Sequence, residues 1–342
     1  MNILVTGGAG YIGSHAALHL LDAGHSVTIL DNLFRGHRAA VATLESLAPG
    51  RVHFEEADLA ESERIESILR AQSIDTVMHF AALAYVGESV DQPLNYYRNN
   101  TAGALSLLEA VASAGVERFV FSSTCATYGE PPADRIPIGE DCPQLPVNPY
   151  GHSKLMVERI LADYANHARE AGRPFGYAAL RYFNVAGSDP AGRIGEDHRP
   201  ETHLLPICLQ AAQGKREAIT IFGTDYPTPD GTCIRDYVHV SDLVAAHAVV
   251  MDALKPGDER HYNIGIGRGY SVRECVEATR RVTGLPIAEI EGPRRPGDPP
   301  TLTANAAHIR DELGISMRFT DLDEIIETAW RWFSEHPDGY EK

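Results

Sequence analysis

"VTGGAGYIGSH", Val5 to His15, places glycines at 7, 8, 10 and 13, close to the first residue of the chain. Gly8, Gly10 and Gly13 fit G-x-G-x-x-G, and Gly7, Gly10 and Gly13 fit a looser three-residue spacing. Either pattern also arises in ordinary glycine loops, so the flanking sequence decides. "NILVT" (Asn2 to Thr6) is a short apolar, partly β-branched run suited to a buried parallel strand, and "YIGSHAALHLLDAG" carries apolar residues at helical spacing. Strand, glycine turn and helix thus follow in the order that seats a pyrophosphate on free N–H groups at a helix N-terminus. "HSVTIL" (His25 to Leu30) reads as a second strand ending at Asp31. A carboxylate about 20 residues past the loop accepts hydrogen bonds from an adenosine ribose and repels a 2′-phosphate, which points to NAD. Two features keep this open: "DN" also forms turns, and Arg35 could welcome a 2′-phosphate.

The alternation continues. "RAAVATLESLA" reads as a helix, "VHFEEA" as a strand ending near Asp58, "ESERIESILRAQ" as a helix and "DTVMHF" as a strand. A long amphipathic run from Glu88 to Ala114, the strand "ERFVFSS", the helix "YGHSKLMVERILADYANHA" and the strand "FGYAALRYFN" follow. The implied fold is α/β, a Rossmann-type doubly wound parallel sheet with helices on both faces, its ligand outside the carboxyl ends of the strands. After Asn184, "VAGSDPAGRIGEDHRPE" and "FGTDYPTPDGT" are rich in Gly, Pro and Asp and read as functional loops. We therefore expect a dinucleotide-binding domain over 1–184, with a segment near 232–265 returning to it, and a smaller α/β substrate domain over 185–342.

Composition bounds the partners. The chain has 342 residues and a formal net charge of −17, which argues against nucleic acid or an anionic membrane surface and requires local arginines for any anionic ligand. Its five cysteines (Cys125, Cys142, Cys208, Cys233, Cys275) are scattered, with no C-x-x-C pair and no Cys/His zinc spacing. We expect no metal, a reducing compartment and, since the chain opens on a strand instead of a basic, apolar leader, a cytoplasmic location.

"NPYGHSK" sets Tyr150 and Lys154 four residues apart at a helix start, on one face. The chain contains only four lysines, and Lys154 alone falls in the first 200 positions, which weakens its reading as a solvated surface residue. A phenol of pKa near 10 must fall by roughly three units to act as a base at neutral pH, about 4 kcal/mol of differential stabilisation. A nearby ammonium and an oxidised nicotinamide both favour the phenolate. Thr124, at the end of its strand, can bridge a substrate hydroxyl to Tyr150.

Thr124, Tyr150 and Lys154 resemble the catalytic Ser/Thr, Tyr and Lys of the extended short-chain dehydrogenase/reductase superfamily. Over essentially the whole chain, "VTGGAGYIGSH", "LDNL", "HFAALAYVGESV", "YYRNN", "NPYGHSKLMVE", "LRYFNVAG", "GRIGED", "GTDYPTPDGTCIRDYVHV" and "RRPGD" resemble, in this order, the UDP-glucose 4-epimerase family. The resemblance implies a bound, recycled NAD and no net redox. Tyr150, directly or through Thr124, would remove the C4 hydroxyl proton while the C4 hydride passes to the nicotinamide. The 4-keto sugar would then turn and take the hydride back on its opposite face.

By the same resemblance the cofactor would be lined by Gly7, Gly10, Tyr11, Ile12, Gly13, Asp31, Asn32, Asp58, Leu59, Phe80, Ala81, Ala82, Asn99, Ser122, Tyr150, Lys154, Tyr182 and Phe183. The UDP-sugar would meet Thr124, Tyr150, Asn184, His203, Leu204, Phe222, Arg235, Arg295, Asp298 and Leu302. Arginine forks suit a pyrophosphate, although "RR" in a loop also reads as a solvated pair. A homodimer is implied, through helices that include 88–114 and 150–168. Ala84 stands where many members carry a lysine, removing one cationic contact to the cofactor. Leu302 stands where some carry a tyrosine, so N-acetylated UDP-hexosamines should be tolerated.

Related dehydratases need an acid pair just after the catalytic Thr; here Cys125 and Ala126 hold those positions, and alanine transfers no proton. Cys125 reads as a buried packing residue before it reads as a nucleophile. UDP-arabinose/UDP-xylose 4-epimerase remains the runner-up, and a non-catalytic NAD-binding sensor is disfavoured by the intact Tyr150 and Lys154. "WRWFSEHPDGY" reads as helix packing before an aromatic binding patch.

Overall fold

The computed structural model describes residues 1–173, 175–295 and 298–340. In chain order it runs β1 (Asn2–Thr6), α1 (Tyr11–Asp22), β2 (Ser26–Asp31), α2 (Arg38–Leu47), β3 (Val52–Glu56), α3 (Ser62–Ala71) and β4 (Thr76–His79). Then come α4 (Val86–Asp91), α5 (Pro93–Tyr96), a π-helical turn Tyr97–Ala102, α6 (Gly103–Ala114), β5 (Arg118–Ser122), α7 (Pro149–Glu170), β6 (Gly176–Tyr182) and β7 (Asn184–Ala186). The remainder is α8 (Leu204–Ala212), β8 (Ile219–Phe222), β9 (Ile234–His239), α9 (Val240–Ala253), β10 (Glu259–Ile264), β11 (Gly269–Ser271), α10 (Val272–Thr283), β12 (Glu289–Gly292), β13 (Thr301–Leu302), α11 (Ala307–Leu313) and α12 (Leu322–Glu335). Among the described residues, no helix is long and apolar enough to cross a membrane.

The chain divides into two compact units, one of 1–129, 144–181 and 244–262, the other of 130–143, 182–243 and 263–342. The first is built on a seven-stranded sheet of order β10-β6-β5-β4-β1-β2-β3, whose pairings among β1 to β6 are all parallel. Strand order reverses between β1 and β4, the position at which such sheets bind ligands. The reason for the parallel arrangement is legible in the side chains: Ile3, Leu4, Val5, Val77, Phe119 and Phe121 are buried, as strands covered on both faces require. Leu4, Val77 and Phe119 share one core with Ile65, Leu69, Leu107, Val111, Val157 and Leu161 of α3, α6 and α7. The run from Glu88 to Ala114 is not one helix. Pro93, which has no N–H to donate, opens a new helix after Gln92, and the π-helical turn interrupts the remainder.

His79, at the carboxyl end of β4, is fully enclosed between Phe119 and Phe121, its Nδ1 2.7 Å from Thr6 Oγ1. Burial, with Lys154 nearby, lowers it from 6.5 to about 3. The folded state thus holds His79 neutral while the unfolded chain protonates it below about 6.5, so stability is complete above that pH and is lost as pH falls toward 3. At about 1.4 kcal/mol per pH unit, the loss between pH 6.5 and 5 is about 2 kcal/mol. Denaturant titrations should show this slope in the wild type and a shallower one in His79→Asn; parallel slopes would contradict it.

The second unit holds β11-β9-β13 with β7 also paired to β9, and a two-stranded parallel β12-β8. Leu205, Leu209, Cys275, Phe319, Ile325, Ile326 and Trp332 pack α8, α10 and α12 into its core. Trp332 and Phe333 of "WRWF" are buried there, the packing role expected. Ser271 and Glu274 close a capping box on α10.

Candidate active site

In the first unit, the turn after β1 is shaped for close approach. Gly7 has φ +71°, and a Cβ on it would lie 2.6 Å from the Ala81 nitrogen beyond β4. Only glycine accepts both the left-handed backbone and that contact. The turn leads into α1, whose N-cap is Gly10 with no side-chain cap and whose first turn carries no acidic residue. Its positive end therefore stays available to an anion. Asp31 ends β2 and ties the turn down, accepting from the N–H of Ala9 (3.0 Å) and of Leu33 (2.8 Å). Burial raises its carboxyl from the ordinary value against those two N–H groups. Asn32 donates to Asp58 (2.7 Å) beside it. Arg35 pairs with Glu88 at 2.8 Å and lies over the Tyr85 ring at 4.7 Å, so its charge is already matched and the opening for a 2′-phosphate narrows. Phe80 meets the His247 ring at 4.9 Å, and Asn99 donates to Asn100, which clamps both backbone groups of Leu83.

α7 places the next group. Asn148 caps it by accepting from the Gly151 N–H (2.9 Å), and Pro149 occupies the first turn, where its missing N–H costs nothing. Gly151 passes so near the 125–128 turn that a Cβ there would lie 2.5 Å from the Ala126 carbonyl oxygen. That approach seats Tyr150 near the turn that Thr124 caps, where Thr124 Oγ1 accepts from Ala126 N–H at 3.1 Å. Tyr150 is buried and meets the Tyr96 ring edge-on, with centroids 6.4 Å apart. One turn on, Lys154 is 3 % exposed. Its Nζ donates to the Ser122 carbonyl at 2.8 Å and stands 5.0 Å from the Phe121 ring centroid. Burial pushes its ammonium down to about 7 against the pull of Glu158.

A further turn on lies Glu158, which sequence reasoning passed over. It accepts from Ser123, from Gln144 (3.0 Å) and from the Arg181 guanidinium on β6 (2.6 and 3.0 Å), and Arg181 also donates to Tyr128 (2.9 Å). Burial works to raise the Glu158 carboxyl, but Arg181, Ser123 and Gln144 outweigh it and hold it below the ordinary value. The available signal was a charge four residues beyond Lys154 on the same helical face, and an arginine inside the apolar run "GYAALRY". Cys125 is half-buried, a correction to its reading as a buried residue; the other four cysteines are buried free thiols.

In the second unit, one small sheet gathers residues expected to meet the nucleotide. Asn184 pairs with Tyr237, and Leu302 with Arg235, in parallel register on β9. Arg235 forms an ion pair with Asp298 and donates to the Ile234 carbonyl at 2.8 Å. Arg295 stacks over the Phe222 ring at 4.1 Å, while Pro296 and Gly297 of "RRPGD" lie outside the described residues. Leu204 opens α8, and His203 holds its N-cap position without a side-chain cap bond. His203 is drawn to two carboxylates, 2.9 Å from Glu201 and 3.5 Å from Glu196.

The model of the NAD dependent epimerase/dehydratase family matches residues 3–265, the span that holds the glycine turn, Thr124, Tyr150 and Lys154. The chain belongs to that family. It is 48 % identical over 341 residues to the UDP-glucose 4-epimerase of Halalkalibacterium halodurans, covering 99 % of this chain and 98 % of the relative. It is also 48 % identical over 345 residues to UDP-arabinose 4-epimerase 1 of Arabidopsis thaliana, covering 99 % of this chain and 81 % of the relative. The crystal structure of UDP-glucose 4-epimerase from Bifidobacterium longum in complex with NAD+ and UDP superposes with TM-score 0.93 at 36 % identity, covering 99 % of this chain and all of that one. The family's α/β fold, with the sheet order given above, is the one the N-terminal sequence implies.

Proposed function

We propose that this epimerase-family protein interconverts UDP-glucose and UDP-galactose at C4, with NAD as a resident, recycled cofactor. The observation that carries the reading is that Lys154, one turn along the helix from Tyr150, reaches the Ser122 carbonyl at the carboxyl end of β5, two residues before Thr124, in the sheet whose β1 leads into the Gly7 turn. The turn fits a dinucleotide: the backbone approach at Gly7 and the acid-free N-terminus of α1 suit a pyrophosphate, and Asp31 suits a ribose. Gly7, Gly10, Asp31, Asp58, Ala81, Asn99 and Lys154 would hold it. When bound, NAD supplies a hydride acceptor that later returns the hydride.

The chain's own residues then do the proton and positioning work. Tyr150 takes the C4 hydroxyl proton and gives it back after the keto sugar has turned, with Thr124 orienting that hydroxyl. Lys154, poorly solvated and anchored on the Ser122 carbonyl, favours the tyrosinate electrostatically. Arg295, stacked on Phe222, brings positive charge to the diphosphate, and Arg235, oriented by Asp298, donates hydrogen bonds to it. On this reading the first unit binds the dinucleotide and the second the UDP moiety. The test is chemical: acid should release NAD from the purified protein in near-stoichiometric amount, and UDP-sugar turnover should need no added dinucleotide. Protein with no releasable dinucleotide and no response to added NAD would contradict the reading. A second reading, 4-epimerisation of UDP-arabinose, is favoured by the equal identity to the Arabidopsis thaliana enzyme.

Leu302 also bears on specificity. Leucine there should leave room for an N-acetyl group, so UDP-N-acetylglucosamine should be turned over. Leu302→Tyr should cut that turnover at least about tenfold, the worth of a lost pocket of this size, with UDP-galactose little affected. Equal loss on both sugars would contradict the assignment.

We further propose a homodimer working in the cytoplasm, where the five cysteines stay free thiols. Val90 and Leu94 of α4 and α5, Leu105 of α6 and Met156 of α7 are exposed, Leu94 by 73 %. Exposed apolar side chains on helices that pack together suit a subunit interface. Leu94→Glu should shift sedimentation from dimer toward monomer; an unchanged dimer would remove this face from the interface.

A further inference from the structure

We propose that Glu196, His198, Glu201 and His203 bind a divalent transition-metal cation, zinc being the best fit, that fastens the loop ahead of α8. The four fall in the pattern Glu-x-His-x-x-Glu-x-His within "EDHRPETH". Each offers one ligand atom, and these atoms all lie within 4.8 Å of one another. The two Nδ1 atoms face both carboxylates: His198 is 3.1 Å from Glu196 Oε1 and 3.6 Å from Glu201 Oε2, and His203 is 3.5 Å from Glu196 Oε1 and 2.9 Å from Glu201 Oε1. Ligands about 2.1 Å from a tetrahedral zinc stand about 3.4 Å apart, near the 3.1, 3.5 and 3.6 Å separations of Glu196 Oε1 and Glu201 Oε2 from the Nδ1 atoms they face.

Charge points the same way. The side chains of Glu196 and Glu201 are 4 % and 2 % exposed. Two carboxylates side by side and out of water are costly unless opposite charge meets them or one takes up a proton, and a single divalent cation would meet both. The carboxylate of Glu201 is oriented from behind: the N–H groups of Thr202 and His203 donate to its Oε1 at 2.7 Å, leaving Oε2 toward His198. Arg216 holds the Glu201 carbonyl at 3.2 Å. Such outer bonds fix a ligand before the ion arrives. Two nitrogens and two oxygens suit zinc and its neighbours better than calcium or magnesium, which take oxygen ligands, and four protein ligands make a closed, structural site. Because His203 sits at the N-cap position of α8, the cation would set where Leu204 begins that helix, and His203 would be a ligand where the sequence reading made it a substrate contact. The expectation of no metal rested on cysteine spacing, which this cysteine-free set escapes.

The test uses full-length protein purified without a polyhistidine tag or chelator, with elemental analysis by mass spectrometry. About one equivalent of zinc, or of another divalent transition metal, should be present or taken up from zinc chloride. His198→Gln and Glu196→Gln should each lose it. In the wild type, chelator should lower the thermal midpoint by about 5 °C or more, and zinc should restore it. Less than about 0.1 equivalent after zinc loading and desalting, with a midpoint indifferent to chelator, would overturn the proposal and leave two buried ion pairs. Zinc retained equally by both variants would overturn the ligand assignment. None of these readouts depends on epimerase activity.

Discussion

Tyr150→Phe should lower kcat on UDP-galactose by about a thousandfold, within the range expected for losing a positioned general acid–base, and should leave KM within a few-fold of wild type. The loss corresponds to about 4 kcal/mol of transition-state stabilisation. The phenylalanine ring keeps the edge-on packing on Tyr96, so the fold should survive and only the oxygen that carries the proton is removed. KM should hold because the proposed reading gives the grip on the nucleotide to Arg235 and Arg295. Steady-state rates with NAD content measured in parallel would check this. A fall of less than tenfold at full NAD occupancy would mean that Tyr150 is not the residue that moves the C4 proton.

The second large effect falls on stability. Arg181→Met leaves Glu158 charged, 3 % exposed and without its main partner. Breaking a buried pair from one side costs about 3–5 kcal/mol, which for a unit of this size lowers the thermal midpoint by about 10 °C. Adding Glu158→Leu should recover part of the loss, since no orphaned charge then remains. Scanning calorimetry of the three proteins would decide. A midpoint within about 2 °C of wild type for Arg181→Met would mean that water or another group reaches Glu158.

The N-terminal half was legible because its physics is local. Buried strands, glycine turns and helical periodicity recur within short windows, so Asn2–Thr6, Ser26–Asp31 and the α7 start at Pro149 fall within a residue or so of where the pattern puts them. The break at Pro93 could have been read, since "DQPL" halts a helix, but the amphipathic pattern on either side of it masked the stop. Other features depend on partners far along the chain. Ile138 bridges to Ala304 and exchanges backbone hydrogen bonds with Thr303 and Asn305, which places 130–143 in the second unit, and no local pattern announces a pairing across so many residues. The buried Glu158–Arg181 pair is of the same kind, its halves lying on a helix and a strand that meet only after folding. The Glu196–His203 cluster is local, but its spacing follows no helix or strand period, and only the loop's path brings the four side chains together.

The most direct test of the central claim is to incubate the purified protein with UDP-galactose, without added dinucleotide, and follow the C4 proton by NMR. The account predicts steady conversion to UDP-glucose up to an equilibrium mixture, with no net accumulation of NADH. No conversion by protein that carries NAD, or conversion of UDP-arabinose alone, would contradict it.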